Sequence, residues 1–236
     1  NANIAYAKNQ LTLNADNSIF VNAKLSVNGD GKLALNYGGT AGDGAKQAAS
    51  GSQLKVNGQV DFAKAGTGPL AINGHDYTII NGLEGLQNMG DFVGGKYALG
   101  KSINAQSSAL TDDGQGFVPI GNAQAGFTGV FDGLGHDIRG LTIKRSDASN
   151  VGLFGYTDNA TLRNVQLVEA IMAGGGNVGA LAGETKGGSI SNVFASGSVS
   201  VSTGSSDFSA GGLIGRNAGG HVSDARANVH VAAVLK

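Results

Sequence analysis

The sequence contains no cysteine, no tryptophan and only two prolines among its 236 residues. Without cysteine there is no disulfide framework, no thiolate zinc site and no cysteine nucleophile. Charged residues make up 14% of the chain, where about 25% is usual. The 16 Lys and Arg against 17 Asp and Glu leave a formal net charge of −1, with no basic block. We therefore expect neither nucleic acid nor an anionic membrane as a partner.

Long apolar runs and charged helix formers are also scarce. No uninterrupted apolar run approaches the roughly 18 residues of a membrane span, so we expect no membrane insertion. Glutamate occurs only three times, whereas glycine occurs 41 times, which disfavours long surface helices. The chain is nevertheless 41% apolar and can bury a sizeable core. These figures predict a folded, mostly β protein.

Three short segments repeat in the second half of the chain. Residues 151–155, 178–183 and 211–215 each end in glycine, and a small polar residue follows nine positions later between strand formers. The closing glycines are Gly155, Gly183 and Gly215, and the polar residues are Asn164, Asn192 and Asp224. The nine-residue offset is constant, whereas the copies lie 28 and 32 residues apart. This pattern indicates that each copy is one coil of a parallel β-helix and that the loops differ in length from coil to coil.

The repeat also predicts what the positions shared by its three copies do within the coil. We expect the three closing glycines to turn the backbone with a positive φ. Asn164 and Asn192 are expected to stack their side chains into an amide ladder at a corner of the helix. Asp224 occupies the same position in the third copy and should weaken that ladder.

Shorter strands precede the repeats. Alternating apolar and polar residues, separated by Asn-Gly, Asp-Gly and Gly-Gly, indicate half-buried strands at 11–13, 19–22, 24–28, 32–36 and 53–57. A looser echo joins 74–76 to 135–137, because both read Gly-His-Asp and both precede an apolar strand. We expect His75 and His136 to stabilise these turns by hydrogen bonds. The four histidines, which include His221 and His230, show no metal-ligand spacing, so no metal site is expected.

Residues 67–125 are the least regular part of the chain. Leu83, Leu86, Met89 and Phe92 recur at spacings of three to four, which predicts one short amphipathic helix. The segment is interpreted as an insertion or lid on the flank of the β-helix. Its apolar residues either cover part of the solenoid or form a partner-binding protrusion, since long irregular insertions often carry function.

The Gly-Leu-Phe-Gly, Ala-Leu-Ala-Gly and Gly-Leu-Ile-Gly units resemble the GLUG motif of bacterial surface proteins, and 126–136 resembles the segment that precedes it. The strands of residues 1–66 are similar, more weakly, to the coils of filamentous haemagglutinin-like exoproteins. The resemblance implies a right-handed parallel β-helix from a Gram-negative two-partner-secretion adhesin, secreted or held at the cell surface. It also implies an outer-membrane transporter as export partner and a role in virulence or biofilm.

One feature departs from that family. Its Asn-Pro-Asn secretion signature is missing, and Pro69 and Pro119 are the only prolines. We therefore expect an interior piece of a longer protein, with haemagglutinin-like coils at 1–66, the insertion at 67–125 and GLUG-type coils at 126–236, all in one continuous solenoid.

An enzyme is the alternative, because β-helices also carry polysaccharide lyases and glycosidases. A glycosidase needs two carboxylates roughly 5 to 9.5 Å apart. Asp112 and Asp113 are the only adjacent acidic pair, and Asp132 with Asp137 and Arg139 forms a second possible cluster. Turn chemistry explains the Asp-Gly pairs without a substrate. We therefore expect no catalytic residue and no cofactor.

The favoured interpretation is a rigid stalk, a binding surface for a host-cell or exopolysaccharide partner, or both. A carbohydrate site usually combines exposed aromatic rings with polar groups. The candidate ligand surface comprises Tyr97, Phe117, Tyr156 and Phe208, with Asp112 and Asp113 as polar neighbours. Tyr97 and Phe117 have an equally good alternative role as caps of the core.

Overall fold

A computed structural model describes residues 2–39, 51–203 and 207–235. The chain is 57% strand and 8% helical, and it forms a β-solenoid of about six turns with one short helix. The predicted all-β solenoid is therefore confirmed. Within the described residues, no helix is both long enough and apolar enough to cross a membrane.

The N-terminal coils consist of eight short strands, most of which alternate more buried residues with more exposed ones. They are β1 (Ile4–Tyr6), β2 (Gln10–Ala15), β3 (Ile19–Val21), β4 (Lys24–Val27), β5 (Lys32–Tyr37), β6 (Leu54–Val56), β7 (Gln59–Phe62) and β8 (Gly66–Ile72). Strands from successive coils pair in parallel: β1 with β4 and β4 with β7, β2 with β5 and β5 with β8, and β3 with β6. This is the stacking that a β-helix requires.

The C-terminal coils are longer and more regular. Their strands are β9 (His75–Ile80), β10 (Lys96–Leu99), β11 (Ile103–Asn104), β12 (Val130–Asp132), β13 (Asp137–Arg139), β14 (Thr142–Arg145), β15 (Asn150–Val151), β16 (Phe154–Asp158), β17 (Thr161–Arg163), β18 (Gln166–Gly174), β19 (Asn177–Gly179), β20 (Ala182–Lys186), β21 (Ser189–Thr203), β22 (Ser209–Gly211), β23 (Ile214–Ala218) and β24 (His221–Leu235). A parallel ladder runs through β9, β10, β12, β17, β21 and β24, and others join β15, β19 and β22, and β16, β20 and β23. The three sequence repeats lie in register, with Phe154 beside Ala182 and Ala182 beside Ile214.

A hairpin joins the two sets of coils. Strands β8 and β9 are antiparallel, and the two residues between them, Asn73 and Gly74, have φ angles of 49° and 76°. An Asn-Gly pair with both φ angles positive is typical of a tight turn between twisted strands. The strands of the N-terminal coils therefore run opposite to those of the C-terminal coils within one 13-stranded sheet.

The sheet separates two hydrophobic cores. The N-terminal core contains buried side chains between residues 19 and 79, together with Ala98 and Leu134. The C-terminal core contains buried side chains between residues 80 and 201. On the paired strands β9 and β10, Ile79 and Ala98 face the first core, whereas Ile80 and Leu99 belong to the second. The central strands are therefore covered on both faces.

The segment between 67 and 125 contributes to both the sheet and its flank. Strands β9, β10 and β11 lie within the main sheet. The flank holds α1 (Leu83–Gln87) and three 3-10 turns, at Asn88–Asp91, Gln106–Leu110 and Asp112–Gly114. The helix buries Leu86 and the first 3-10 turn buries Met89, both in the C-terminal core, whereas Phe92 is 67% exposed. The predicted helix is present, and its apolar side packs on the solenoid.

Candidate functional site

The small polar residues of the three repeats form one column along a corner of the solenoid. Asn164, Asn192 and Asp224 have φ angles of 53°, 51° and 49°. The Asn192 side chain donates from Nδ2 to Oδ1 of Asn164 at 2.8 Å, which forms one step of an amide ladder. Asp224 does not extend the ladder in this way, because its carboxylate pairs with Lys55 Nζ at 2.8 Å.

The closing glycines have a structural role that differs from the positive φ predicted for them. Gly155, Gly183 and Gly215 are not among the glycines with positive φ, so that expectation was wrong. A Cβ added to Gly183 would lie 2.6 Å from the backbone nitrogen of Val151 and 2.7 Å from the carbonyl oxygen of Gly155. These positions require glycine because neighbouring backbones approach too closely for a side chain. The left-handed conformation belongs instead to the polar residues of the corner column.

The corner ladder also binds the N-terminal coils. Asn164 Oδ1 accepts a hydrogen bond from the backbone N–H of Val56 at 3.0 Å, and Asn192 Nδ2 donates to the Val56 carbonyl at 3.2 Å. A longer contact of 3.4 Å joins Asn164 Nδ2 to the carbonyl of Leu54. The two amide side chains therefore pair with β6 much as a neighbouring strand would. No local sequence pattern shows that these residues meet.

Asp132 lies beside the ladder and is completely buried. One carboxylate oxygen accepts from the Leu134 backbone N–H and from Asn164 Nδ2, both at 2.9 Å. The other oxygen accepts from Arg163 Nε at 2.6 Å. Both carboxylate oxygens are thus occupied by donors of the protein, and Asp132 has no exposed surface. It is therefore not accessible to a substrate, unlike a member of the acidic cluster with Asp137 and Arg139 that the sequence suggested.

Arg163 carries this ion pair across the junction of the two cores. Its guanidinium donates to Tyr37 Oη at 2.7 Å and to Tyr77 Oη at 3.4 Å, and both tyrosines belong to the N-terminal core. Burial raises the pKa of Tyr77 to about 12, although the nearby Arg163 charge acts to lower it. Burial opposes the charge on Arg163, but Asp132 and the tyrosines more than offset this and raise its pKa. The cluster is a buried, hydrogen-bonded connection between the two halves.

The two Gly-His-Asp segments differ in their surroundings. His75 is exposed, whereas His136 is 2% exposed and its Nε2 lies 2.9 Å from the carbonyl oxygen of Val60, to which it donates. The hydrogen bond of His136 therefore joins distant coils and does not close its own turn. Burial lowers the pKa of His136, against smaller opposing effects from Val60 and Asp61.

The lowered pKa of His136 predicts that the stability of the protein depends on pH. Because burial holds the folded pKa of His136 below its usual value of 6.5, the unfolded chain takes up the proton first. Stability should fall by up to about 1.4 kcal/mol per pH unit as the pH drops below 6.5, until the folded pKa is reached. Asp61, Asp137 and Lys24 are the charged neighbours. The free energy of unfolding, measured with urea between about pH 7.5 and pH 5, should depend less steeply on pH in His136→Gln. In His75→Gln this dependence should be unchanged, and equal slopes in both variants would contradict the assignment.

An open groove of about 680 Å³ lies on the flank, and we name it the α1 groove. One wall is formed by α1 and the residues up to 93, and the other by residues between 108 and 125. Apolar atoms provide most of its surface. The apolar side chains that line it include Leu83, Val93, Phe117, Val118 and Pro119, and the polar ones include Glu84, Gln87, Asn88, Asp91, Asp112 and Asn122.

Gln87 connects the two walls of the α1 groove. Its side-chain amide donates to the carbonyl of Val118 and accepts from the Val118 backbone N–H, each at 3.0 Å. On the second wall, Arg145 Nη2 lies 2.5 Å from Asp112 Oδ2, and the same guanidinium donates to the carbonyls of Gly116 and Phe117. The walls are therefore held by side chains even though they contain little regular structure.

The sequence-predicted ligand residues do not form one surface. Phe117 and Asp112 line the α1 groove, but Phe117 is only 2% exposed. Tyr97 is 8% exposed and its hydroxyl donates to the Phe92 carbonyl, so both rings chiefly fill the core. Burial raises the pKa of Tyr97, and the charge of Asp91 adds to this.

The remaining candidates lie elsewhere. Tyr156 is half-buried on β16, in register with Glu184 of the next coil. Phe208 packs against the C-terminal core. Asp113 is exposed, with a φ of 52°, and does not line the α1 groove. Sequence reasoning missed Glu84, which lines the groove, because only the apolar face of the helix had a recognisable pattern.

Nothing among the described residues resembles a metal centre, since no three or more His, Asp or Glu side chains are grouped closely enough to hold an ion. Of the acids that line the α1 groove, Asp112 is paired with Arg145, whereas Glu84 and Asp91 form no ion pair within the described part of the chain. The groove is therefore an apolar surface with two unpaired carboxylates at its edge.

Part of this chain is similar in sequence to a known protein. An alignment over 139 positions, which covers 56% of this chain, is 42% identical to halomucin from the archaeon Haloquadratum walsbyi. That stretch is only 2% of the length of halomucin. No protein-family model and no solved structure matches the chain. The chain is thus similar to a small part of a far longer protein.

Proposed function

We propose that this chain is a segment of an exported surface protein, in which it acts as a rigid β-solenoid stalk and presents a polysaccharide-binding surface. The observation that carries the stalk is the parallel ladder from β9 to β24, in which each coil adds one strand. Along this ladder each coil stacks on the coils before and after it, so length is gained without a larger globular core.

The internal connections support rigidity. Both faces of the central strands are covered by hydrophobic cores, and the Arg163–Asp132 ion pair and the corner ladder join the N-terminal coils to the C-terminal ones. A hinge between the two sets of coils would have to break these contacts together. The proposed stalk therefore behaves as one unit.

The likeness to halomucin and the resemblance to surface exoproteins support a surface location. Export through an outer-membrane transporter of a two-partner system, and a Gram-negative source, rest on the haemagglutinin-like resemblance alone. A host-cell or exopolysaccharide partner is likewise part of the proposal, and the α1 groove is the place we assign to it.

A deletion of one coil tests the stalk. Gly183 and Gly215 occupy equivalent positions in adjacent coils, so removing residues 184–215 joins two matching points. We expect this variant to fold and to be shorter by about 4.8 Å, the spacing of neighbouring strands. Circular dichroism would report the fold, and small-angle scattering the length.

A matched control deletes residues 184–199, about half a coil. This deletion removes the corner residue Asn192 and most of β21, so the remainder of the coil cannot stack on its neighbours, and we expect loss of cooperative unfolding. If both deletions unfold the protein equally, the coils are not interchangeable units and the stalk proposal fails.

A screen against glycans and matrix exopolysaccharides tests the binding surface. Saturable binding without release of fragments would support a binding role. Release of oligosaccharides from a bound polymer would instead favour the lyase or glycosidase alternative, and absence of any binding would leave the stalk as the whole function.

A further inference from the structure

We propose that the α1 groove binds a polysaccharide segment that carries free amino groups, that is, a cationic amino-sugar chain. This inference rests on the proposed polysaccharide-binding function and names the chemical class of its ligand. Three features of the groove lead to it: its charge, its backbone and its apolar floor.

The charge of the groove selects against anions. No Lys, Arg or His is among the residues that line it. Glu84 and Asp91 are exposed and lack ion-pair partners in the described ranges of the chain. An acidic polysaccharide would bring like charge towards these two carboxylates, whereas an ammonium group would complement them. The charge of the groove therefore favours a cationic occupant over an anionic one.

The backbone of the groove argues against a basic peptide as the occupant. A peptide that adds as a strand needs free backbone N–H and C=O groups on the receiving wall. Val118 on that wall is half exposed, but Gln87 already occupies both of its backbone groups. The opposite wall is α1 and a 3-10 turn, whose backbone groups bond largely within the turns. A sugar chain has no backbone amides to satisfy.

The floor and the size of the groove suit sugar rings. Leu83, Val93, Val118 and Pro119 offer an apolar surface to ring C–H groups. The volume of about 680 Å³ lies within the range of small-molecule sites. Sugar hydroxyls can be met by Asn88, which is exposed on the same side as the carboxylates.

The test is calorimetric titration of the full chain with three oligosaccharides of equal length. The first is a glucosamine oligomer, which is cationic, the second is its N-acetylated form, which is neutral, and the third is a galacturonate oligomer, which is acidic. We expect the glucosamine oligomer to bind about threefold to tenfold more tightly than the acetylated one, which is the gain that two exposed charge pairs can give. Added salt should reduce the difference, and the acidic oligomer should not bind.

Two variants locate the site. Glu84→Gln combined with Asp91→Asn should remove the preference for the amino form, whereas Asp158→Asn, an acid on β16 that does not line the groove, should keep it. Circular dichroism would show that each variant is folded. An unchanged preference in the double variant would overturn the inference, as would equal affinity for the acetylated oligomer or for a lysine peptide of the same charge.

The outcomes separate this inference from the proposed function. If a polysaccharide binds but the groove variants have no effect, the binding surface exists elsewhere and only the present inference fails. If none of the three oligomers and no matrix polysaccharide binds, the binding part of the proposed function fails with it, and the coil deletion still decides the stalk.

Discussion

Replacing Arg163 with alanine is expected to lower the free energy of unfolding by about 3 to 5 kcal/mol, because it leaves Asp132 buried without its charge partner. Asp132 has no exposed surface, and the Arg163 side chain is only 11% exposed. The same substitution removes the donors to Tyr37 and Tyr77, and so loosens the N-terminal core as well. Equilibrium unfolding in urea would measure the change.

Two controls distinguish burial from charge pairing in general. Lys186→Ala breaks the exposed pair with Asp158 and should change stability by less than about 1 kcal/mol. The double variant Arg163→Met with Asp132→Leu removes both buried charges and should recover part of the loss. A loss below about 1 kcal/mol for Arg163→Ala would mean that water reaches Asp132.

The second large effect is expected for Gly183→Ala, which should destabilise the protein by at least about 3 kcal/mol or prevent folding. The new methyl group would lie 2.6 Å from the Val151 nitrogen and 2.7 Å from the Gly155 oxygen. Both are backbone atoms of the preceding coil, so they cannot rotate away as a side chain would, and overpacking of this kind is costly. Thermal and urea unfolding would measure the loss.

Gly90→Ala is the matched control, because nothing lies within 4 Å of a Cβ at that position and its φ is not positive. We expect a change of less than about 0.5 kcal/mol, and a small gain is compatible with reduced freedom of the unfolded chain. Similar losses for both alanine variants would show that glycine flexibility, and not close backbone approach, determines the effect.

Much of the fold follows from the sequence because a solenoid repeats. The constant nine-residue offset relates Asn164, Asn192 and Asp224, and the structure has them in one column of left-handed residues. The alternating strands near the N-terminus lie where their pattern indicates, as in β2 and β5. Stacked parallel coils place equivalent residues above one another, so sequence period and spatial register coincide.

The parts that were not predicted depend on contacts between distant residues. The Asn73–Gly74 turn carries a recognisable hairpin signal, yet the reversal it causes, with a separate core on each side of the sheet, follows only from the paired strands. The α1 groove lies between two segments with weak patterns, so its unpaired Glu84 and Asp91 had no signal of their own. The glycine roles were misassigned because close approach and positive φ both select glycine.

The docking of β6 has a consequence for the order in which the chain folds. Val56 bonds to Asn164, which lies 108 residues later, and its carbonyl accepts from Asn192, 136 residues later. The N-terminal core likewise includes Leu134. Contacts of such long sequence separation form slowly. When the chain is synthesised from its N-terminus, the first coils emerge with one face of their core uncovered, and they close only after more than a hundred further residues have emerged.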